Sequence, residues 1–198
     1  MAPCAHTTHG KTTSTVSTPI SESASTAGQV NRQTRPSWTK TWLTLADAMS
    51  KRSRCGKGVG AVIVSAEHRV VATGYNGPPA GYPSEGSCEN FCPRLLTYPK
   101  PSSYDSCPSN HAEINALLWS SRQERLGGTI YVTTAPCMGC AKALANSGLQ
   151  EVVWIRTEEK PHRSPSEVKD FLRRCGLFYR EVSQLEWETR STTPQPQD

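Results

Sequence analysis

The chain has 198 residues and a mass of 21.7 kDa, room for one domain of about 150 residues plus tails. With 35% hydrophobic and 20% charged residues it can build a core, but its longest apolar run, Gly58–Val64, falls far short of the roughly 20 residues that span a bilayer. A net charge of +5 suits a small anionic partner such as a nucleotide and excludes a nucleic-acid coat protein or a histone-like tail.

Residues 1–37 hold 14 Ser or Thr, no Leu, Phe, Tyr or Trp, and a single acid, Glu22. Such a segment buries too little surface to offset the entropy of ordering, and it reads as a disordered tail. It has no apolar stretch like that of a secretory signal, so a cytoplasmic location is expected. Trp38 opens a helical period that places Trp42, Leu45 and Met49 on one face. Val59–Ser65 and Arg69–Tyr75 read as two β-branched strands joined by a turn at Ala66–His68. From Asn76 to Asn110 runs a long Pro/Gly/Cys-rich insertion with little periodicity, of the kind that needs a function or a metal to hold it. Then follow a helix at His111–Gln123, a strand at Thr129–Thr134, a helix at Cys137–Ser147 and a strand at Glu151–Arg156. A helix at Ser166–Cys175 and a strand at Leu177–Val182 close the domain, taken as 38–190, and 191–198 is a second polar tail. The order αββαβαβαβ implies a mixed sheet covered by helices.

Eight cysteines are present, and two pairs have metal-ligand spacing: Cys88-x3-Cys92 and Cys137-x2-Cys140. Zinc is favoured over disulfides. Cys137 and Cys140 are three apart at a helix start, where both sulfurs can reach one metal and unpaired N–H groups favour thiolates. His111, at the start of the neighbouring helix, supplies a nitrogen ligand. Three protein ligands leave one tetrahedral position open, the mark of a catalytic zinc that lowers the pKa of a bound water toward about 7. Glu113, two residues past His111, is placed to take that water's proton and pass it to a leaving nitrogen. His-x-Glu followed by Pro-Cys-x-x-Cys is the signature of zinc deaminases. A zinc ribbon with an incidental Glu113 is the bland alternative. In the insertion, Cys88, Cys92 and Cys107, with Cys55 ahead of the first strand, match a closed structural zinc site. His68 or Glu89 could replace one of these ligands, or the thiols could be unligated. Cys175 reads as a small core residue.

At these residues the chain resembles the cytidine/deoxycytidylate deaminase superfamily over roughly Trp38–Val182, and within it the deoxycytidylate (dCMP) deaminases of bacteria and phages. The matching pieces are Cys55–Val64, Gly74–Gly81, the cysteine-bearing insertion, His111–Leu118 and Tyr131–Lys142. The resemblance implies a three-layer α/β/α fold with a five-stranded mixed sheet, and hydrolysis of dCMP to dUMP feeding thymidylate synthesis. It places Asn76 at the sugar 3′-hydroxyl and the Ala135 carbonyl at the exocyclic amine. It makes Arg122, eleven residues past His111, a phosphate contact, with Arg54 of the basic stretch Lys51–Lys57 as its partner. It also implies a homo-oligomer, dimer to hexamer, activated by dCTP with Mg2+ and inhibited by dTTP. The effector would bind at Asn76, Gly77 and Gly81. One departure is visible: Thr157-Glu158-Glu159-Lys160 lacks the tyrosine that the family carries there over the nucleotide. That opens dCTP or a 5-substituted dCMP as rival substrates. A tRNA or single-stranded DNA base editor, and a non-catalytic zinc-stabilised subunit, are the alternatives from other classes.

Overall fold

Two glycines show how the layers come together. A β-carbon on Gly60 would lie 1.8 Å from the Ala46 carbonyl oxygen, and one on Gly74 would lie 2.2 Å from that of Ala112. Helix backbone therefore rests directly on strand backbone at both points. The computed structural model describes residues 35–97, 106–156 and 165–188. The expectations for the two polar tails, and for the stretch after Arg156, lie outside the described residues, apart from Arg35–Ser37.

The first helix, α1 (Trp38–Ser50), is capped by Ser37, whose side chain accepts from the Lys40 N–H at 3.2 Å. It buries Trp42, Leu43, Ala46 and Ser50, so the buried face is rotated from the expected Trp38, Trp42, Leu45 and Met49. The small Ala46 lets α1 approach Gly60. Trp38 lies outside, in a ring stack between Trp42 and His68, with centroids 5.2 and 4.9 Å apart. Strands β1 (Gly60–Val64) and β2 (Val70–Tyr75) form the expected hairpin, with His68 in the left-handed region at φ 58°. The insertion holds two four-residue helices, α2 (Cys88–Phe91) and α3 (Pro93–Leu96).

The expected helix His111–Gln123 is two. α4 (Ala112–Leu118) ends, and α5 (Arg122–Arg125) starts afresh after an extended Ser121, which forms a reciprocal capping box with Glu124. β3 (Thr129–Val132), α6 (Met138–Ala145), β4 (Glu151–Ile155), α7 (Pro165–Arg174) and β5 (Phe178–Val182) follow as expected. A short α8 (Gln184–Glu188) was not anticipated. Cys175 corrects an expectation. It is exposed at the C-terminal end of α7, its N–H closing the last turn onto Phe171 and Leu172 before Gly176 turns the chain.

The sheet is open, with strand order β2-β1-β3-β4-β5. β1 runs antiparallel to both neighbours, and β3, β4 and β5 are parallel. Alternation divides the core: Ala61, Ile63, Ile130, Val132 and Trp154 face α4, α6 and α7, while Val62, Val64, Tyr131 and Val153 face α1. β1 is buried along its whole length, which is why it reads as an uninterrupted apolar run. The result is the expected three-layer α/β/α arrangement. No described helix is long and apolar enough to cross a membrane.

Candidate active site

The site forms where β1 begins and β2 and β3 end. Backbone and side chain of Thr133 lock β3 to β1 there: the Thr133 N–H donates to Gly60 at 3.1 Å, and its hydroxyl accepts from the Gly60 N–H at 3.1 Å. The insertion leaves and returns at one point. Gly77 and Asn110 exchange backbone hydrogen bonds of 3.1 and 2.9 Å, so the chain comes back to the β2 end just before His111. Asn115 of α4 donates to the Tyr75 carbonyl at 2.8 Å and fixes the helix to the same strand end.

His111 is the N-cap of α4 and Cys137 the N-cap of α6, whose side chain accepts from the Cys140 N–H, so two helix starts converge on the site. His111 Nδ1 lies 3.4 Å from the Cys137 sulfur and 3.3 Å from that of Cys140. Tetrahedral zinc with ordinary Zn–S and Zn–N bonds would set that edge at about 3.6 Å. Among the described residues, only these three bring metal-ligating atoms within 4.8 Å of one another. Donor set and spacing both fit zinc. The two sulfurs shift in opposite directions. Cys137 is pulled down to about 3, chiefly because the Cys140 thiol donates to it, with His111 and the Cys140 N–H helping. Cys140 is pushed far up by the same bond, by burial and by the nearby Glu113 carboxylate. A bound cation would be met by both sulfurs as thiolates, and binding would release their protons.

Glu113, one residue into α4, is 3% exposed, yet it borders a cavity of about 210 Å3. His111 and Thr134 border the same cavity. A buried carboxylate beside a His/Cys/Cys set can hold and deliver a proton.

The cysteines of the insertion reach the other side of this cavity. Cys92 is the hub. Burial acts against its ionisation, yet backbone donors of Leu95 and Arg94 and the Cys107 and Cys88 thiols bring its pKa below the usual value. Cys88 rises to about 11 through burial, and Cys107 rises for the same reason. Cys55 borders the cavity too, its sulfur 3.2 Å from the Ser109 hydroxyl oxygen. The four are neighbours, but no three of them lie within 4.8 Å of one another as the His111 set does.

Other expected residues fall differently. Asn76 borders the cavity, with its amide already committed: Oδ1 accepts from Val59 at 2.7 Å and Nδ2 donates to the Lys57 carbonyl at 2.9 Å. Ala135 sits half-buried between β3 and α6. Gly81 takes a left-handed φ of 86°, as a turn glycine should. Neither expected phosphate contact lines the cavity. Arg54 turns away to donate to the Ser84 carbonyl at 2.6 Å. Arg122 lies at the far end of α6 from Cys137, 3.4 Å from the carbonyl of Asn146, the C-cap of that helix. The cationic groups that do line the cavity are Lys57 and Arg94. Lys57 stood in the basic stretch without being singled out; no periodicity or spacing marks Arg94, which follows Cys92-Pro93 in the insertion.

Comparison with known proteins agrees with this geometry. The sequence profile described as "Cytidine and deoxycytidylate deaminase zinc-binding region" matches residues 36–156. The deoxycytidylate deaminase of Mycobacterium phage D29 is 43% identical over 127 residues, 61% of this chain and 95% of that protein. That of Enterobacteria phage T2 is 30% identical over 185 residues, 76% of this chain and 95% of the relative. The crystal structure of dCMP deaminase from the cyanophage S-TIM5 in complex with dCMP and dUMP shares the fold, with TM-score 0.59 and 24% identity over 75% of this chain and 98% of the other. With the profile covering most of the described chain and the His/Cys/Cys set within it, this protein belongs to the cytidine and deoxycytidylate deaminase family and is a nucleotide deaminase.

Proposed function

We propose that this enzyme converts dCMP to dUMP by zinc-dependent hydrolysis, supplying thymidylate synthesis in the cytoplasm. The observation that carries the reading is a carboxylate, Glu113, buried to 3% exposure yet bordering a cavity beside three convergent metal ligands. His111, Cys137 and Cys140 would hold the zinc, which supplies a water acidic enough to ionise near neutral pH. Glu113 accepts the proton from the attacking water and delivers it to the exocyclic nitrogen as ammonia leaves. The Ala135 carbonyl would accept from that amino group and orient the ring. Asn76 already uses one Nδ2 hydrogen on Lys57, and the other would meet the sugar 3′-hydroxyl. The strong likeness to phage dCMP deaminases supports dCMP over dCTP or a 5-substituted dCMP.

Three further parts of the proposal rest on resemblance or on proximity. Cys55, Cys88, Cys92 and Cys107 form a second, structural zinc site, supported by the two thiols that meet on Cys92. The Asn76–Gly81 turn, including Gly77, takes a dCTP–Mg2+ effector, with dTTP opposing it. The active unit is a homo-oligomer.

The test is a deamination panel read by chromatography: dCMP, 5-methyl-dCMP, dCTP, CMP, deoxycytidine and a cytosine-bearing DNA oligomer, each with and without dCTP–Mg2+. Fast turnover of dCMP above the rest is expected. Turnover of only a modified or triphosphorylated nucleotide would overturn the substrate, and turnover of only the oligomer would overturn the substrate class. Absence of any dCTP response at subsaturating dCMP would remove the regulation.

A further inference from the structure

A nucleoside monophosphate carries close to two negative charges at neutral pH, and an enzyme that selects it over the nucleoside must meet them with fixed donors. The cavity wall offers two permanent cations, Lys57 and Arg94. They come from segments tied to each other: the Cys88 N–H donates to the Arg54 carbonyl at 3.0 Å, and the Gly56 backbone hydrogen-bonds the Cys88 sulfur. Lys57 is directed inward. Its ammonium donates to the hydroxyl of Thr134 at 3.2 Å, and Thr134 is only 2% exposed, three residues before Cys137. Arg94 approaches from the insertion. It is half-buried on α3, beside Cys92, which is 1% exposed, and Phe91, whose ring meets Tyr82 edge-on at 6.4 Å. A guanidinium is a planar fork suited to two phosphate oxygens, while an ammonium acts as a point charge.

We infer that Arg94, with Lys57 beside it, binds the substrate's 5′-phosphate, so that the cysteine-rich insertion is the element that selects nucleotide over nucleoside. This rests on the reading of the enzyme as a dCMP deaminase. Two cations from two joined segments match a dianion, and neither is drawn from Arg54 or Arg122. Removing the fork removes charge-assisted hydrogen bonds that a nucleoside never makes.

The experiment is the ratio of kcat/KM for dCMP to that for deoxycytidine, measured on the zinc-loaded full chain for wild type, R94Q, R94K and K57Q. R94Q is expected to lower the ratio about 10–100-fold, K57Q about 10-fold, and R94K, which keeps charge but loses the fork, by an intermediate amount. Equal losses on both substrates would show a structural role and overturn the inference. If R94Q does not fold, R94K and K57Q decide by the same ratio, and an unchanged ratio in both refutes it. A wild-type ratio near one would sink the substrate reading itself. A large wild-type ratio that survives in every variant would sink only the phosphate assignment.

Discussion

Gly74→Ala is a change of one methyl group placed where the fold is tightest on the catalytic side. The new β-carbon would lie 2.2 Å from the Ala112 carbonyl oxygen and 2.6 Å from the Ala116 nitrogen, where ordinary contact begins at 3.4 Å. Both obstacles are helix backbone, so no rotamer change can relieve them, and α4 must withdraw from β2 by about 1 Å. Overpacking of this kind costs about 1–3 kcal/mol, a fall in Tm of roughly 3–10 °C for a chain this size. Ala112 lies between His111 and Glu113, so the displaced turn carries the proposed metal ligand and the proposed proton carrier together. A misplacement near 1 Å at the reacting groups can lower the rate about 100-fold. Steady-state deamination, zinc content and thermal unfolding measured together on G74A are expected to show a kcat/KM loss larger than the stability loss alone explains. Gly60→Ala is the comparison, since it pushes on α1, which carries none of the site residues; it should lose similar stability and less activity. G74A with wild-type turnover and full zinc content would refute the claim that backbone contact at Gly74 sets the position of the catalytic turn.

Glu113→Gln keeps the shape and removes the proton carrier, so turnover should fall by about 10²–10⁴-fold with zinc retained, as read by metal analysis and the deamination assay. Purified enzyme should carry two zinc ions per chain, and Cys92→Ser should lower that to one while Cys137→Ser abolishes turnover; one zinc in the wild type would exclude the second site. Glu181 is held below the usual carboxylate range: burial opposes this, but Lys169, the Trp154 indole N–H and Arg156 outweigh it. A depressed folded-state pKa gives stability that is complete above the unfolded value near 4.5 and is lost as pH falls through the folded one. Urea titrations from pH 7 to 3 should therefore show stability falling below about pH 4.5, and Glu181→Gln should flatten part of that fall while lowering stability at pH 7 by about 1–3 kcal/mol.

The His111, Cys137 and Cys140 cluster was legible because metal chemistry constrains residue type and spacing at the same time. His111, Glu113, Cys137 and Cys140 each sit at a helix start, and helix starts have signals in sequence. The sheet was legible for a similar reason: alternating or continuous β-branched runs fix which strands are half or fully covered. Part of what escaped was set by partners distant in sequence. The face of α1 is decided by Gly60, which makes Ala46 a contact, and Trp38 finds its place against His68 across the hairpin. The separate start of α5 at Arg122 follows from a local Ser121-x-x-Glu124 capping box, which an apolar pattern does not register. The cations that reach the cavity could not be distinguished from those facing solvent, since charge carries no period.

The Gly77–Asn110 bridge has a consequence for how such an enzyme changes over time. A segment closed at its base can grow, shrink or be exchanged while the strand end and helix start that flank it stay in register. Each doubling of a flexible loop adds only about 0.6 kcal/mol of closure entropy. Here the excursion carries Arg94 and three of the cysteines, and the scaffold behind it carries His111, Glu113, Cys137 and Cys140. On the assignment inferred for Arg94, substrate preference and bond-breaking chemistry are separately heritable, and a new substrate could be acquired by replacing one cartridge without disturbing the engine.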